Sequence, residues 1–361
     1  MNYKKISIVI PTYNERENIK KIIPEIVKIC EKNFEDFEII VVDDNSPDKT
    51  YEEVKKFKDE RIKVFVRKKE KGLASAIKFG IEKSKYKYVC IMDADFQHPP
   101  KFIPKLYEKL IENSADISIA SRFLDKSVKR AKKIRILFSK IAIFLISSFF
   151  PNLNKVSDPL SGFFLLNKEK VNLKEMKCIG FKFLFELLAK QKLKIVEVPF
   201  KFEKRKEGKS KMGFKEVYNF LKLFLTLLRE TKEYKRIIKF SLVGASGIFV
   251  NEFLLYFFTE LLNFYYIFSS VISIEISIIW NFLFCEFFVF RDLRKRGIRN
   301  FVSRMLKTNI LRIFGLIINV IVLFVLTEFF SINYLISNLI GIFAAVIFNY
   351  MLSLKKVYLN K

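Results

Sequence analysis

The sequence predicts an α/β domain with a mainly parallel sheet over residues 1–230, followed by an all-α membrane domain of four helices over residues 231–361. Three observations lead there. Up to about Phe202, short runs rich in Ile and Val alternate with helical stretches that carry Lys and Glu on one face, the pattern of repeated βα units. After Lys239 there is no Lys or Arg until Arg291, and after Arg312 none until Lys355. Those intervals are filled with Phe, Ile, Leu and Val, as helices that cross a bilayer require.

In chain order, strands are expected at residues 6–10, 37–42, 64–66, 88–92 and 117–120, each flanked by Asn, Asp, Pro or Gly. Ligands of such sheets bind beyond the carboxyl ends of the strands, so the residues that follow each strand are the candidates for function. Two stretches then obey another rule. Over 131–150 the cations Lys132, Lys133, Arg135 and Lys140 interleave with Ile, Leu and Phe, and over 214–228 Phe, Leu, Val and Tyr alternate with Lys and Glu at helical spacing. Both read as amphipathic helices lying in a membrane interface, the plainer alternative being helices that face a core.

Four spans of about 20 residues follow, the length that a hydrocarbon core of roughly 30 Å demands, near 238–259, 266–290, 308–328 and 333–354. The connections around Asn263 and Ile332 carry no Lys or Arg. The middle one holds Arg291, Arg294, Lys295, Arg296, Arg299 and Arg304, and the tail holds Lys355, Lys356 and Lys361. The positive-inside rule places the middle loop, the tail and the α/β domain on the cytoplasmic face of the cell membrane. Glu252, Glu275 and Glu286 fall within or near spans, where a carboxylate is costly. They either line a polar path or make contacts between helices or subunits.

The chain has 361 residues and a formal charge of +27, which by itself fits nucleic acid, a membrane surface or a phosphorylated substrate. The two long intervals without cations exclude a nucleic-acid binder. Cys30, Cys90, Cys178 and Cys285 are far apart, so neither a disulfide framework nor a zinc site is expected. His98 is the sole histidine, which excludes a multi-histidine metal centre. The apolar run at residues 6–10 is too short for a signal-peptide core, so the first half is expected to stay in the cytoplasm.

The chemistry gathers at strand ends. The first ends in Pro11-Thr12-Tyr13-Asn14-Glu15: Tyr13 could flank a base, and Glu15 could accept from a base edge or ribose. The second ends in Val42-Asp43-Asp44-Asn45-Ser46-Pro47-Asp48, where two carboxylates bind a ribose or base, or cap the next helix. The fourth delivers Asp93-Ala94-Asp95-Phe96-Gln97-His98. Alternate residues after a strand project to one side, and oxygen donors without His or Cys suit Mg2+ or Mn2+. A lone DxD carries little, but the fold brings three acidic strand ends to one sheet edge.

Taken in order, PTYNE, VVDDNSPD, KEKGLASA, MDADFQHPP, SRF, DPLSGFF, IGFK and KRKEGKSK resemble glycosyltransferase family 2, and within it the polyprenyl-phosphate (dolichol-phosphate) mannose synthases. The four-span tail is similar to the GtrA-like membrane domain. The resemblance implies a GT-A, Rossmann-like catalytic domain in which Pro11, Tyr13, Glu15, Val42 and Asp44 hold the nucleoside. It places Asp93, Ala94, Asp95 and Gln97 around the diphosphate and metal, with Asp95 and Gln97 as direct ligands. Arg122 matches the arginine at the reaction centre, Arg135 and Ser139 the positions that hold the lipid phosphate, and Arg205 and Lys211 the cations that close over the donor. The implied partners are GDP-mannose, dolichyl or polyprenyl phosphate and the lipid bilayer, with a homo-oligomer formed through the membrane domain as a further option.

These residue types suit that reaction. A phosphate monoester is largely dianionic near neutral pH, its second pKa being about 6, so it needs no general base. Arginine forks manage the remaining charge by bidentate contacts, and direct attack inverts the anomeric carbon. Gly208-Lys209-Ser210 is no phosphate loop, because position 203 is Glu where that motif needs Gly. The QxxRW signature of processive synthases is missing, and Trp280, the only tryptophan, lies in a span. The rival readings are a polyprenyl-phosphate glucosyltransferase using UDP-glucose and a lipid-linked-sugar translocator. The His98-Pro99-Pro100 ending favours mannose over the first, and intact Asp93, Asp95, Gln97 and Arg122 argue against the second.

Overall fold

The computed structural model describes residues 4–124, 133–200, 214–294 and 296–359. The chain forms two compact units, one of Met1–Ile146 and Lys155–Thr231, the other of Ser147–Asn154 and Lys232–Lys361.

The first unit is built on a seven-stranded sheet with strands β1 (Lys5–Thr12), β2 (Asp36–Asp43), β3 (Ile62–Val66), β4 (Tyr88–Ile91), β5 (Ile117–Ser121), β6 (Phe164–Asn167) and β7 (Ile195–Pro199). Their order is β3-β2-β1-β4-β6-β5-β7. β1 pairs in parallel with β2 and β4, and β2 with β3, while β6 runs antiparallel between β4 and β5 and β7 closes the edge parallel to β5. The five expected strands are present. β6 and β7 are additions to that expectation.

The parallel strands need crossovers, supplied by α1 (Arg16–Asn33), α2 (Thr50–Lys55), α3 (Leu73–Lys83) and α4 (Ile103–Glu112). In α1, Ile19, Ile22, Ile23, Ile26 and Cys30 recur at three- and four-residue spacing, and all are buried, so one helical face drives the packing. α3 lies closer still: a Cβ on Gly80 would sit 2.3 Å from Val9 Cγ1 and 3.3 Å from Val42 Cγ2. Glycine is therefore what lets α3 rest on β1 and β2, whose loops carry the site.

Next come α5 (Lys133–Phe149), α6 (Phe183–Lys190) and α7 (Phe214–Glu230). α7 fits both readings of its pattern. Leu223, Phe224, Leu227 and Leu228 are buried, and the Phe220 and Phe224 rings meet Phe185 of α6 at 6.2 and 6.4 Å. Val217, Tyr218, Leu221 and Leu225 are exposed.

The second unit contains α8 (Glu233–Tyr256), α9 (Tyr266–Phe284), α10 (Ile298–Glu328) and α11 (Tyr334–Leu352); α8, α9 and α11 end in π-helical turns. Glu233–Leu261, Tyr266–Val289 and Ile340–Tyr358 are long and apolar enough to cross a membrane, by length and composition. The fourth expected span is the later part of α10, whose described apolar stretch, Ile317–Glu328, is shorter.

One expectation for this region changes. The arginine-rich stretch is not all loop, because α10 starts at Ile298 and carries Arg299 and Arg304. Arg304 is in fact buried, its Nε donating to Glu286 Oε2 at 3.0 Å with Nη2 on the other oxygen. Glu286 is thereby a helix-to-helix contact, the second of its two readings. Glu252 and Glu275 are exposed on their helices.

Candidate active site

The ends of β1, β2 and β4 meet at one edge of the sheet, and hydrogen bonds lock the first two together. Thr12 Oγ1 donates to Asp43 Oδ2 at 2.9 Å, and Asp43 also accepts from Ser46 N at 2.8 Å and Ser46 Oγ at 2.6 Å. Ser46 Oγ, Thr50 Oγ1 and Asp48 Oδ2 in turn accept from the backbone N–H groups of Asn14, Glu15 and Arg16, each at 3.0 Å. Asp43, fully buried, is therefore the knot of the turn rather than a ligand group. Asn14, Asn45 and Phe96 follow the three strands with φ of 58°, 54° and 63°. For a residue as bulky as Phe96 that conformation is strained, and it sits between Asp95 and Gln97.

Asp44, the neighbour of Asp43, faces another partner. Arg67 Nε donates to its Oδ1 at 2.8 Å, Arg67 Nη2 adds a second bond, and Gly72 N donates to Oδ2 at 2.7 Å. Arg67 also reaches Ser75 Oγ and the Gly72 carbonyl, both at 2.9 Å. The KEKGLASA segment is thus stapled to the end of β2 through an arginine that the sequence reading passed over. Arg67 directly follows β3, so applying the strand-end rule to β3 would have found it.

Tyr13 is 39% exposed and its ring lies under Lys71 Nζ at 5.9 Å. Glu15 Oε2 accepts from Asn18 Nδ2 at 2.7 Å. Pro11 and Val42 are paired in register inside the sheet, with the Val42 side chain in the core, so any ligand contact by Val42 is a backbone one.

Beyond β4, Asp95 is 3% exposed and its Oδ1 accepts from Gln97 N at 3.1 Å, while Ala94 between the two acids is buried in the hydrophobic core. Asp93 N donates to His98 Nδ1 at 3.1 Å. The His98 ring is buried and stacks on Phe163 at 5.3 Å. The lone histidine is a packing and positioning group. A Cβ on Gly162 would lie 3.1 Å from both Asp93 Oδ2 and His98 Cε1, so the DPLSGFF segment presses directly on the acidic turn.

Arg122 leaves β5 with Nε on Asp158 Oδ2 at 2.6 Å and Nη2 on Asp158 Oδ1 at 2.8 Å. Burial acts against the Arg122 charge, but the hydrogen bonds and charge of Asp158, joined by the charge of Asp93, hold its pKa above the usual arginine value. The Arg122 guanidinium and the acidic turn thus feel one another. Asp158 lies within a motif that the sequence reading quoted, yet its pairing with a residue 36 positions away has no local signal.

A divalent cation fits this donor set. Asp93, Asp95 and the Gln97 side-chain amide offer oxygen alone, and among the described residues no group of three His, Cys, Asp or Glu side chains encloses a metal. An ion held by two carboxylates and an amide keeps positions for phosphate oxygens, as Mg2+ and Mn2+ sites commonly do. Burial pushes the Cys30 thiol up to about 12 and the Cys178 thiol up to about 11.

Ser139 lies on α5, and Arg135 precedes it by one helical turn on the same helix; the Arg135 side chain, like Arg205 and Lys211, lies outside the described residues.

The chain matches the glycosyl transferase family 2 pattern over residues 7–173 and that of the GtrA/DPMS transmembrane domain over 239–358. It is 41% identical to the dolichol-phosphate mannosyltransferase of Pyrococcus furiosus, covering 94% of this chain and 95% of that protein. With the dolichol-phosphate mannosyltransferase of Saccharomyces cerevisiae it shares 34% identity, over 60% of this chain and 84% of the yeast one. Among solved structures, glucosyl-3-phosphoglycerate synthase from Mycobacterium tuberculosis superposes with a TM-score of 0.51 at 20% identity, covering 63% of this chain and 80% of that one, in a complex with Mn2+, UDP and glucosyl-3-phosphoglycerate. Its complex with Mg2+ and UDP gives a TM-score of 0.50 at 20% identity, with the same coverage. At that identity the likeness establishes the GT-A fold of the first unit.

Proposed function

The chain belongs to the dolichol-phosphate mannosyltransferase family, with a glycosyltransferase domain and a membrane domain, and from that membership we propose that it transfers mannose from GDP-mannose to a dolichyl or polyprenyl phosphate, with inversion. The observation that carries the reading is the Arg122–Asp158 pair beside the acidic turn of Asp93, Asp95 and Gln97. A cation aimed by a buried carboxylate next to a set of oxygen donors is what two phosphate-bearing substrates need in order to approach each other.

In this reading Pro11, Tyr13, Glu15, Val42 and Asp44 receive the nucleoside, with Arg67 fixing the Asp44 carboxylate. Asp93, Asp95 and Gln97 would hold Mg2+ or Mn2+, which when bound offsets the charge of the departing diphosphate; the M. tuberculosis synthase was solved with either ion. Arg122 sits between donor and acceptor. Arg135 and Ser139 receive the lipid phosphate, and Arg205 and Lys211 cover the donor. The acceptor oxygen is already ionised, so no side chain has to take its proton, in keeping with a lone histidine that is buried in packing. The exposed apolar row of α7 fits contact with the bilayer surface, and the catalytic unit is assigned to the cytoplasmic side of the cell membrane.

The test is incubation of the purified full chain with labelled GDP-mannose or UDP-glucose and a polyprenyl phosphate. Labelled lipid from GDP-mannose is expected. Label from UDP-glucose alone would change the donor, and no labelled lipid from either would overturn the reading.

A further inference from the structure

Glu197 lies on β7 in register with Ile119, three residues before Arg122. Its carboxylate accepts from Ser157 N at 3.0 and 2.9 Å, one contact to each oxygen, and from Asp158 N at 3.1 Å. Asp158 is fully buried and grips Arg122 in a bidentate pair, the geometry that transmits direction as well as charge. We propose that Glu197 is a positioning residue for transfer: it fixes the 157–158 turn, the turn fixes the Asp158 carboxylate, and that carboxylate aims the Arg122 guanidinium. The inference rests on Arg122 serving the reaction. A glutamine at 197 has one acceptor oxygen and no charge, so the turn loses part of its anchor while its packing is kept.

A mutant cycle tests this on the full chain with GDP-mannose and polyprenyl phosphate. Glu197→Gln should lower kcat about tenfold, with the KM for GDP-mannose and the affinity for GDP unchanged. In an Arg122→Lys background the same change should cost less than about twofold, because the residue through which it acts is already altered. Where Glu197→Gln does not fold, Glu197→Asp replaces it in the cycle. An equal loss in both backgrounds, or no loss in either, overturns the positioning role. Full activity of Arg122→Lys instead overturns the reading on which it rests.

A second inference comes independently from the membrane unit. Gly247 and Gly315, Asn251 and Asn319, Thr259 and Thr327, Asn263 and Ser331, Ser269 and Ser337, and Asn281 and Asn349 are all offset by 68 (315 less 247). The structure repeats with the sequence. Asn263 and Ser331 both have φ of 52°, Ser269 and Ser337 are both fully buried, and a Cβ would lie 2.1 Å from Asn281 Nδ2 at Gly247 and 2.2 Å from Asn349 Nδ2 at Gly315. We infer that the unit is two copies of one helical hairpin, α8–α9 and α10–α11, each closed by the same latch of Asn against Gly.

Gly244, where a Cβ meets nothing within 4 Å, supplies the control. Gly247→Ala and Gly315→Ala should each lower the melting temperature in detergent by about 5 °C, whereas Gly244→Ala should not lower it. Asn281→Ala should restore Gly247→Ala but not Gly315→Ala, and Asn349→Ala the reverse. Should a glycine variant fail to fold, its double variant with the facing asparagine is expected to fold. Rescue by the wrong asparagine, or glycine variants as stable as Gly244→Ala, overturns the inference.

Discussion

Arg67 holds the Asp44 carboxylate through Nε at 2.8 Å and through Nη2, while the Gly72 N–H takes its other oxygen at 2.7 Å. Both side chains are almost fully buried, so Asp44 cannot swing to meet a nucleoside; it offers one fixed edge. Asp44→Ala and Arg67→Ala should therefore each weaken GDP binding about tenfold. The double variant should be no weaker than the worse single one, because the two act as a unit. Calorimetric titration of GDP measures this. Additive losses would mean that the residues act separately.

Transfer should require a divalent cation. Asp95 accepts the Gln97 N–H at 3.1 Å, which folds the acidic turn back on itself. Asp95→Ala should reduce turnover about a hundred- to a thousandfold, on the scale of losing an electrostatic group in a reaction centre. Excess EDTA should abolish activity and Mg2+ or Mn2+ restore it. Undiminished activity in EDTA would remove the metal from the reaction.

Gly162 sets how closely the DPLSGFF segment approaches the acidic turn. A methyl there would lie 3.1 Å from Asp93 Oδ2 and from His98 Cε1. His98 is stacked on Phe163 and buried, so Asp93 is the group able to give. Gly162→Ala should raise the cation concentration needed for half activity about tenfold, with little change in melting temperature. An unchanged metal requirement would show that Asp93 does not hold the ion.

The acidic strand ends were legible because a buried strand followed by Asp, Asn and Pro is a strong local signal. β6 was not, since four buried residues, Phe164–Asn167, look the same as a turn of core helix. β7 was masked by Glu197 and Pro199 inside the strand. Among the site residues, Arg67 was hidden in a run of lysines, whereas Asp158 and Glu197 act on partners 36 and 39 to 40 positions away. The loop count placed Arg304 in the basic middle loop, although in the fold it lies on α10 and neutralises Glu286.

The four helices should place both connections that lack cations on the outer side. Asn263, with φ of 52°, is exposed at the turn between α8 and α9, and Lys295 belongs to the basic stretch before α10. Single cysteines at these positions, in a background without the native ones, should react with an impermeant maleimide from opposite faces of sealed vesicles. Labelling of both from one face would overturn the topology.

The Glu286–Arg304 pair joins the end of α9 to α10, with both side chains less than a tenth exposed. A buried pair is expensive to assemble, yet it is worse to halve it, because the remaining charge loses its partner. Arg304→Ala should cost about 3–5 kcal/mol and lower the melting temperature markedly in detergent. The hairpin repeat predicts how to relieve this: the position equivalent to Glu286 is Leu354, buried and apolar. Glu286→Leu combined with Arg304→Leu should therefore recover most of the loss, as expected when a buried ion pair gives way to apolar groups of similar volume. If the double variant is as unstable as Arg304→Ala alone, the pair is required for more than its own neutralisation. The two hairpins would then depend on that charge for the way in which they associate.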